Sequence, residues 1–313
     1  MLKKGEKMFY GYEIIEVKTK INKKKVFIVV LISVLIASFS ACGGIFIAQA
    51  CKKEKVEEIK NIKKEKNDEE IIVEIEKTEA EKEIEKNREN IEKENFSQEQ
   101  LNAIENIYDD IGEKRVFLTF DDGPTQSVTP FILDLLKQEN IKATFFVLGN
   151  RVKAEPELIQ REYNEGHYIA NHGYSHIYRE IYRNIDTVFE EYNYTEQAIQ
   201  EVLENPNYHS KLFRFPGGSV GGYYRSIKSE AKEALNESGI ASLDWNSLSK
   251  DAEGANTTEE LLQNVIDTIG DKQSVVILMH DASDKILTYE VLPDVINYLR
   301  ENGFQFKNIY DIL

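Results

Sequence analysis

The stretch "RVFLTFDDGPT", Arg115–Thr125, places two neighbouring carboxylates, Asp121 and Asp122, between an apolar run and Gly-Pro. The run "RVFLTF" has the β-branched and aromatic residues of a buried strand. Asp, Gly and Pro all suit turns, so "DDGP" alone indicates a strand that ends in a tight turn. Two like charges side by side are unfavourable without a cation, so the pair is also a candidate cation site.

The sequence after residue 113 alternates short β-rich runs with segments of helical spacing. Such alternation over about 200 residues predicts an α/β domain with a parallel sheet covered by helices, closed into a barrel-like form. Gly166 and Gly303 are predicted to end helices. Strands are predicted at 115–120, 143–148, 167–171, 211–215, 240–245, 274–280 and 304–308, and helices at 128–139, 156–166, 257–270 and 289–302.

Polar residues collect where the predicted strands end. In parallel barrels the carboxyl ends of the strands meet on one rim, which is where chemistry is found. The ends carry, in order, Asp121-Asp122, "NHGYSH" (171–176), "RFPGG" (214–218), "LDW" (243–245) and "LMHD" (278–281). One Asp and two His on adjacent ends would form an open site for a divalent ion, with positions left for water and substrate.

Each of these motifs also has an ordinary structural interpretation. His172 and His176 are four residues apart, so a helical turn would point both side chains the same way, yet many such pairs are only surface neighbours. Arg214 alone is compatible with a simple ion pair and Trp245 with ordinary core packing. The combination on one predicted rim favours metal-assisted hydrolysis, in which one carboxylate binds a cation and its neighbour takes a proton from water.

An uncharged apolar run at residues 26–50 is long enough to cross a bilayer as a helix. "KINKKK" before it predicts that residues 1–25 stay in the cytoplasm and that the chain beyond is extracytoplasmic. "FSACG" around Cys42 resembles a lipobox and "AQAC" around Cys51 a signal-peptide end, so a lipoprotein or cleaved signal is the second interpretation. Every one of these interpretations places the domain outside the membrane, and the favoured location is the cell membrane with an uncleaved anchor.

Residues 51–112 are dominated by Lys and Glu and predict a charged, partly helical stalk or disordered spacer before a catalytic domain at 113–313. The net charge of −16 lacks the basic surface that nucleic-acid binding needs, so no nucleic-acid partner is expected. Both cysteines, Cys42 and Cys51, lie outside the predicted domain. Any metal in the domain must therefore be held by His and carboxylate.

From Arg115 to the C-terminus the five ordered motifs resemble the polysaccharide deacetylases of carbohydrate esterase family four. The resemblance implies a distorted (β/α) barrel and a hydrolase that removes the acetyl group from N-acetylated sugars. Its implied cofactor is a divalent metal, zinc first, with cobalt, nickel or manganese also accepted by such a site.

The resemblance also implies roles for single residues. Three would bind the metal, four would carry out or support proton transfer, and three would form the substrate pocket. The implied metal ligands are Asp122, His172 and His176. The implied base is Asp121 with Arg214 as its partner, and the implied acid is His280 with Asp244 as its partner. The implied pocket residues are Gly217, Trp245 and Leu278.

One position departs from the family pattern. The family often has Arg-Pro-Pro-Tyr where this chain has "RFPG", so Gly217 replaces a tyrosine that lines the pocket. Tyr223 and Tyr224 are candidates to compensate, and glycine keeps the backbone N–H that would hold the oxyanion.

The favoured function is N-deacetylation of N-acetylglucosamine in cell-wall peptidoglycan. The alternatives are another acetylated glycan, such as chitin oligomers or an exopolysaccharide, and a metal-containing glycan-binding protein without turnover.

Overall fold

The computed structural model describes residues 96–313, all within one compact unit. The predicted N-terminal segment 1–25, the predicted span 26–50 and the predicted stalk up to residue 95 lie outside the described residues. Across 96–313, no helix combines the length and the apolar composition needed to cross a bilayer.

The described residues form one sheet of eight parallel strands in the order β5-β4-β3-β2-β1-β7-β6, with β8 beside the first half of β1. The strands are β1 (Arg115–Asp121), β2 (Thr144–Val147), β3 (Tyr168–Asn171), β4 (Leu212–Phe213), β5 (Ala241–Ser242), β6 (Ser247–Leu248), β7 (Ser274–His280) and β8 (Gln305–Lys307).

Helices occupy most of the connections between strands. They are α1 (Gln98–Glu105), α2 (Thr129–Gln138), α3 (Gly149–Ala154), α4 (Pro156–Asn164), α5 (Tyr178–Ile181), α6 (Ile185–Leu203), α7 (Arg225–Glu237), α8 (Thr258–Ile269) and α9 (Ile286–Glu301), followed by a 3₁₀ turn at Ile309–Asp311.

The connection between β5 and β6 shows that the sheet is strongly curled. These two strands lie at opposite ends of the strand order, yet only residues 243–246 join them. Such a link spans at most about 17 Å, whereas the edges of a flat seven-strand sheet would be about 29 Å apart. The sheet is therefore an incomplete parallel barrel, in agreement with the predicted distorted (β/α) barrel.

Consecutive residues of β1 point to opposite faces of the sheet and enter different cores. Leu118 and Phe120 pack under the helices in the larger cluster, and Phe117 belongs to the cluster inside the curl. The same alternation turns Thr119 and Asp121 towards the inside. The carboxylate at the end of β1 therefore faces the interior of the barrel at its rim.

The predicted strands are all present, although several are shorter than their apolar runs. The predicted helix ends are also confirmed: Gly166 and Gly303 follow α4 and α9 with φ of 85° and 79°. Strand β6 was not predicted, because Leu248 is the one apolar residue in "NSLSK" (246–250) and gives no apolar run.

The folded domain begins earlier than the predicted boundary at residue 113. Ser97 caps α1 through a reciprocal hydrogen-bond pair with Gln100. Phe96, Leu101 and Ile104 are buried in the same cluster as Phe117. The segment 96–112 is therefore not stalk, because its apolar side chains cover the inner core of the curled sheet.

Replacement of Ile104 by alanine should lower the free energy of unfolding by about 2–5 kcal/mol, because the side chain is 1% exposed and its removal leaves a cavity. Ile111→Ala is the matched control, since Ile111 is 57% exposed, and it should change stability by less than about 0.5 kcal/mol. Urea unfolding of the two variants measures both values. Equal stability of the two variants would mean that residues 96–112 belong to the stalk and not to the folded domain.

Candidate active site

The carboxyl ends of adjacent strands bring the predicted motifs together. In the β1–β7 ladder Asp121 is the register partner of His280, and in the β3–β4 ladder Asn171 pairs with Phe213. His172 directly follows β3, and Arg214 directly follows β4. The rim predicted from sequence therefore exists, with the Asp, His and Arg motifs at one end of the sheet.

Asp122, His172 and His176 form a group whose possible ligand atoms all lie within 4.8 Å of one another. Asp122 Oδ1 is 3.6 Å from Nε2 of His172 and 3.3 Å from Nε2 of His176. This oxygen is buried and accepts no hydrogen bond from any residue between 96 and 313. A buried carboxylate oxygen with two imidazole nitrogens aimed at it is suited to a divalent cation.

The orientation of His172 supports this assignment. Its Nδ1 lies 2.7 Å from the Arg214 carbonyl oxygen, so Nδ1 carries the proton and Nε2 is left as a ligand. Burial lowers the pKa of His172 to about 3, with the charge of Asp122 acting in the opposite direction. The imidazole is therefore neutral at physiological pH, as a metal ligand must be.

The "HGYSH" segment is a loop and not the helical turn considered from its spacing. Gly173 and His176 both adopt positive φ, 80° and 59°, which a helix excludes. Glu191 on α6 holds the loop by accepting hydrogen bonds from the backbone of Tyr174 and Ser175. Tertiary contacts, and not the four-residue spacing, bring the two imidazoles together.

Asp121 lies beside this cluster and is held by a buried arginine. The carboxylate is 2% exposed, and its Oδ1 accepts a hydrogen bond of 2.8 Å from Arg214 Nη1. Its Oδ2 is 3.7 Å from His172 Nε2. Burial raises the pKa of Asp121, and the charges of Arg214 and His280 act against that rise. The result is a carboxylate of increased basicity next to the candidate cation site.

The partner of His280 is Asp251, and the predicted pairing with Asp244 is wrong. His280 Nδ1 and Asp251 Oδ1 are 2.8 Å apart, and the His280 backbone N–H donates to Oδ2 of the same carboxylate. Thr288 donates a third hydrogen bond to it. Burial alone would lower the pKa of His280, but Asp251 and the rim aspartates raise it to about 9.

Asp251 was not among the predicted site residues, because β6 was not among the predicted strands. The residue follows that strand by three positions, so it lies at a strand end like the other rim residues.

Asp244 bonds to the loop after Arg214 instead of to His280. Its carboxylate accepts hydrogen bonds from the backbone N–H and the hydroxyl of Ser219, and its carbonyl accepts one from Arg214. It therefore organises the "RFPGGS" loop.

The predicted pocket residues surround this rim. Leu278 is 6% exposed and lies two residues before His280 on β7, on the same face of the sheet. Trp245 stands over Arg214, with the guanidinium carbon 5.7 Å from the ring centroid. A Cβ on Gly218 would come within 3.2 Å of the Trp245 ring. The indole and the loop backbone are thus in close contact.

The peptide unit between Pro216 and Gly217 is oriented by a buried tyrosine. The Tyr182 hydroxyl donates a 2.7 Å hydrogen bond to the Pro216 carbonyl. In a trans peptide the N–H points opposite to the carbonyl, so the Gly217 N–H faces away from Tyr182. Lys228, itself buried, donates to the carbonyls of Gly217 and Gly218 and holds the next two peptide units.

Asp281, which the sequence placed on the rim in "LMHD" without a role, packs against the "DDG" turn. Asp281 is buried and accepts a 2.5 Å hydrogen bond from Thr129. Burial raises its pKa to about 7. A Cβ on Gly123 would lie 2.0 Å from the Asp281 carboxylate, so only glycine fits at this position of the turn.

A candidate metal centre, a buried carboxylate of raised pKa and a histidine of raised pKa occupy one rim of a parallel barrel. Metal-assisted hydrolysis requires these groups.

Comparison with known proteins identifies which class of hydrolase this chain resembles. A family model described as polysaccharide deacetylase matches residues 109–238. A peptidoglycan-N-acetylglucosamine deacetylase of Bacillus cereus is 33% identical over 204 residues, which cover 63% of this chain and 70% of that protein.

Solved structures agree with this match. A Streptococcus mutans CE4 esterase superposes with a TM-score of 0.59 at 31% identity, over 68% of this chain and 91% of the other. The catalytic domain of peptidoglycan N-acetylglucosamine deacetylase from Eubacterium rectale gives a TM-score of 0.58 at 30% identity. The match covers 64% of this chain and 90% of that one. The chain belongs to the polysaccharide deacetylase family.

His176→Ala should weaken the binding of zinc, because the variant leaves only two of the three clustered ligand atoms. Calorimetric titration of the metal-stripped protein with zinc measures the affinity. His209→Ala is the control, since its half-exposed imidazole lies 3.9 Å from Glu196 and outside the cluster. Unchanged zinc affinity in His176→Ala would remove this residue from the ligand set.

Asp251→Asn should lower the pKa of His280 from about 9 by more than about one unit, because the neutral amide removes the charge that opposes burial. NMR titration of the His280 ring in the metal-free protein measures the change. Asp244→Asn should leave that pKa unchanged. An equal fall in the Asp244 variant would restore the pairing predicted from sequence.

Proposed function

We propose that this chain is a metal-dependent hydrolase that removes the acetyl group from N-acetylglucosamine units of peptidoglycan. One observation carries the proposal. The cluster of Asp122, His172 and His176 lies beside Asp121, and Asp121 is the register partner of His280. The proposed cation site, the proposed base and the proposed acid would thus meet at one rim. Family membership and the peptidoglycan deacetylases among its relatives support the same substrate class.

Asp122, His172 and His176 would hold the cation. A divalent ion bound there would supply Lewis acidity, which makes water more acidic and polarises a carbonyl. Zinc is the proposed ion, because one carboxylate and two imidazoles form a ligand set that it favours; cobalt, nickel and manganese fit the same set.

Asp121 would act as the general base that takes a proton from the attacking water. Burial raises its pKa, which makes the carboxylate a better proton acceptor. The hydrogen bond from Arg214 to Oδ1 fixes the carboxylate and leaves Oδ2 on the side of His172. Arg214 would therefore position the base, and its charge opposes the rise in the pKa of Asp121 that burial causes.

His280 would donate the proton that the sugar nitrogen needs when the amide bond breaks. With a pKa of about 9 the imidazole is protonated at neutral pH, which the role of general acid requires. Asp251 holds Nδ1, so the acidic proton is that on Nε2. Activity should accordingly decline as the pH rises through about 9.

The backbone N–H of Gly217 would stabilise the oxyanion that forms when water adds to the acetyl carbonyl. Among residues 96–313 this N–H has no hydrogen-bond acceptor, and Tyr182 fixes its direction through the Pro216 carbonyl. A donor whose direction is set beforehand costs no reorganisation during the reaction. Trp245 and Leu278 would enclose the acetyl methyl group.

The proposed location is the cell membrane, with the domain on its outer side. Residues 26–50 would serve as the anchor, with the lipoprotein interpretation at Cys42 as second choice. The charged segment that follows would act as a spacer, and if fully helical it would reach on the order of 70 Å. Such a tether gives access to the cell-wall glycan.

The test of function uses the full chain in detergent micelles, stripped of metal and reloaded with zinc or cobalt. Peptidoglycan fragments and chitin oligomers are incubated with it in parallel, and mass spectrometry reports the loss of acetyl groups. Metal-dependent loss from the peptidoglycan fragments is the expected result. Loss from chitin oligomers alone would overturn the substrate, and loss from neither would favour a glycan-binding protein.

Asp121→Asn should retain the cation and lose activity by roughly 10²- to 10⁴-fold, because it removes the proposed base and no ligand. Acetate release and bound zinc are measured on the same sample. Asp267→Asn, on the exposed face of α8, is the control and should behave as wild type. Full activity in Asp121→Asn would assign the base to another residue.

A further inference from the structure

Position 217 is a glycine, and its side-chain space is filled by a residue from another element. A Cβ built on Gly217 would lie 2.7 Å from the Tyr178 hydroxyl and 3.1 Å from two of its ring carbons. Tyr178 begins the short helix α5, which directly follows the "HGYSH" loop. The compensating tyrosines considered from the sequence do not take this place: Tyr223 is 93% exposed, and Tyr224 packs on Tyr182.

The same tyrosine borders the candidate cation cluster. Its ring is 5.4 Å from the imidazole of His176 at an interplanar angle of 65°. Burial raises the pKa of Tyr178, and the charges of Asp122 and Asp121 raise it further. The phenol ring therefore lies between the candidate ligand His176 and the loop at Gly217.

The Tyr178 hydroxyl has no hydrogen-bond partner among residues 96–313, and the residue is 40% exposed. The neighbouring Tyr182 differs in both respects. It is 2% exposed, and its hydroxyl is committed to the Pro216 carbonyl. Tyr182 thus supports the loop, whereas Tyr178 presents a free donor on the open side of the same loop.

We propose that Tyr178 contacts the substrate. Its ring forms the pocket wall that Gly217 cannot supply, and its hydroxyl donates a hydrogen bond to the acetyl carbonyl oxygen of the sugar. This proposal rests on the proposed deacetylase function and adds a second donor to the Gly217 N–H. Both donors face the oxygen on which negative charge develops, where a fixed donor lowers the barrier.

A glycine at position 217 is required for this arrangement. A larger residue there would push the phenol away, because the contact of 2.7 Å to a Cβ is shorter than packing permits. Gly217 also has a φ of 74°, which side-chain-bearing residues rarely adopt. The two positions therefore depend on each other.

The test compares Tyr178→Phe, Tyr178→Ala and Tyr194→Phe in the full zinc-loaded chain. Tyr178→Phe keeps the ring and should lower kcat roughly 10- to 100-fold with KM within about twofold, as expected for a hydrogen bond made in the transition state. Tyr178→Ala should raise KM as well, because it also removes the wall. Tyr194→Phe is the control, because Tyr194 is 55% exposed and packs on Tyr174.

Bound zinc is measured in each variant, since Tyr178 also touches a proposed ligand. Unchanged kcat in Tyr178→Phe would overturn the proposal. A fall in kcat that matches a loss of zinc would also overturn it, because the tyrosine would then act through His176. A wild-type chain inactive on every glycan would overturn the proposed function and this inference with it, whereas an active wild type with an unaffected Tyr178→Phe overturns this inference alone.

Discussion

The buried guanidinium of Arg214 is the interaction on which the rest of the rim depends. The residue is fully buried, and its charge is met by Asp121, by the Thr119 hydroxyl and by the carbonyls of residues 243 and 244. Its own carbonyl fixes the tautomer of His172. Removing one member of such a desolvated pair costs about 3–5 kcal/mol, because the other charge is left unpaired. Arg214 therefore joins the proposed base on β1, a candidate metal ligand and the residues that link β5 to β6.

The candidate cation cluster and His280 are held in place by separate groups of contacts. The cation cluster depends on the "DDG" turn, which Asp281 supports, and on the loop that Glu191 holds. His280, the proposed acid, is held by Asp251, and Asp251 accepts a hydrogen bond from Thr288 of α9. Within residues 96–313 the two groups share no hydrogen-bond partner: Asp251 bonds to His280 and Thr288 and to no member of the candidate cation cluster. This separation allows the two halves of the site to be tested one at a time.

Several features of the fold and site were readable from the sequence, each for a physical reason. Strand β1 is an unbroken apolar run, so both its position and the aspartates at its end were predicted. The parallel arrangement followed from the alternation of strands and helices, and it implied that strand ends share one rim. The errors fall where local pattern is weak. Strand β6 has one apolar residue among polar ones, so neither it nor Asp251 after it was predicted. Helix α1 was assigned to the stalk because its polar face matches the charged segment before it.

The sequence by itself determined the order of the strands along the chain, the residue types at their ends and hence the class of chemistry. Only the tertiary structure decided which of these residues touch. The pairing of His280 with Asp251 instead of Asp244 depends on where the curled sheet brings β6 beside β7. The contact between Tyr178 and Gly217 likewise joins two loops that are distant in sequence. Periodicity in the sequence indicates which face of a helix or strand is buried. Which side chain from another element that face contacts is decided by how the elements pack.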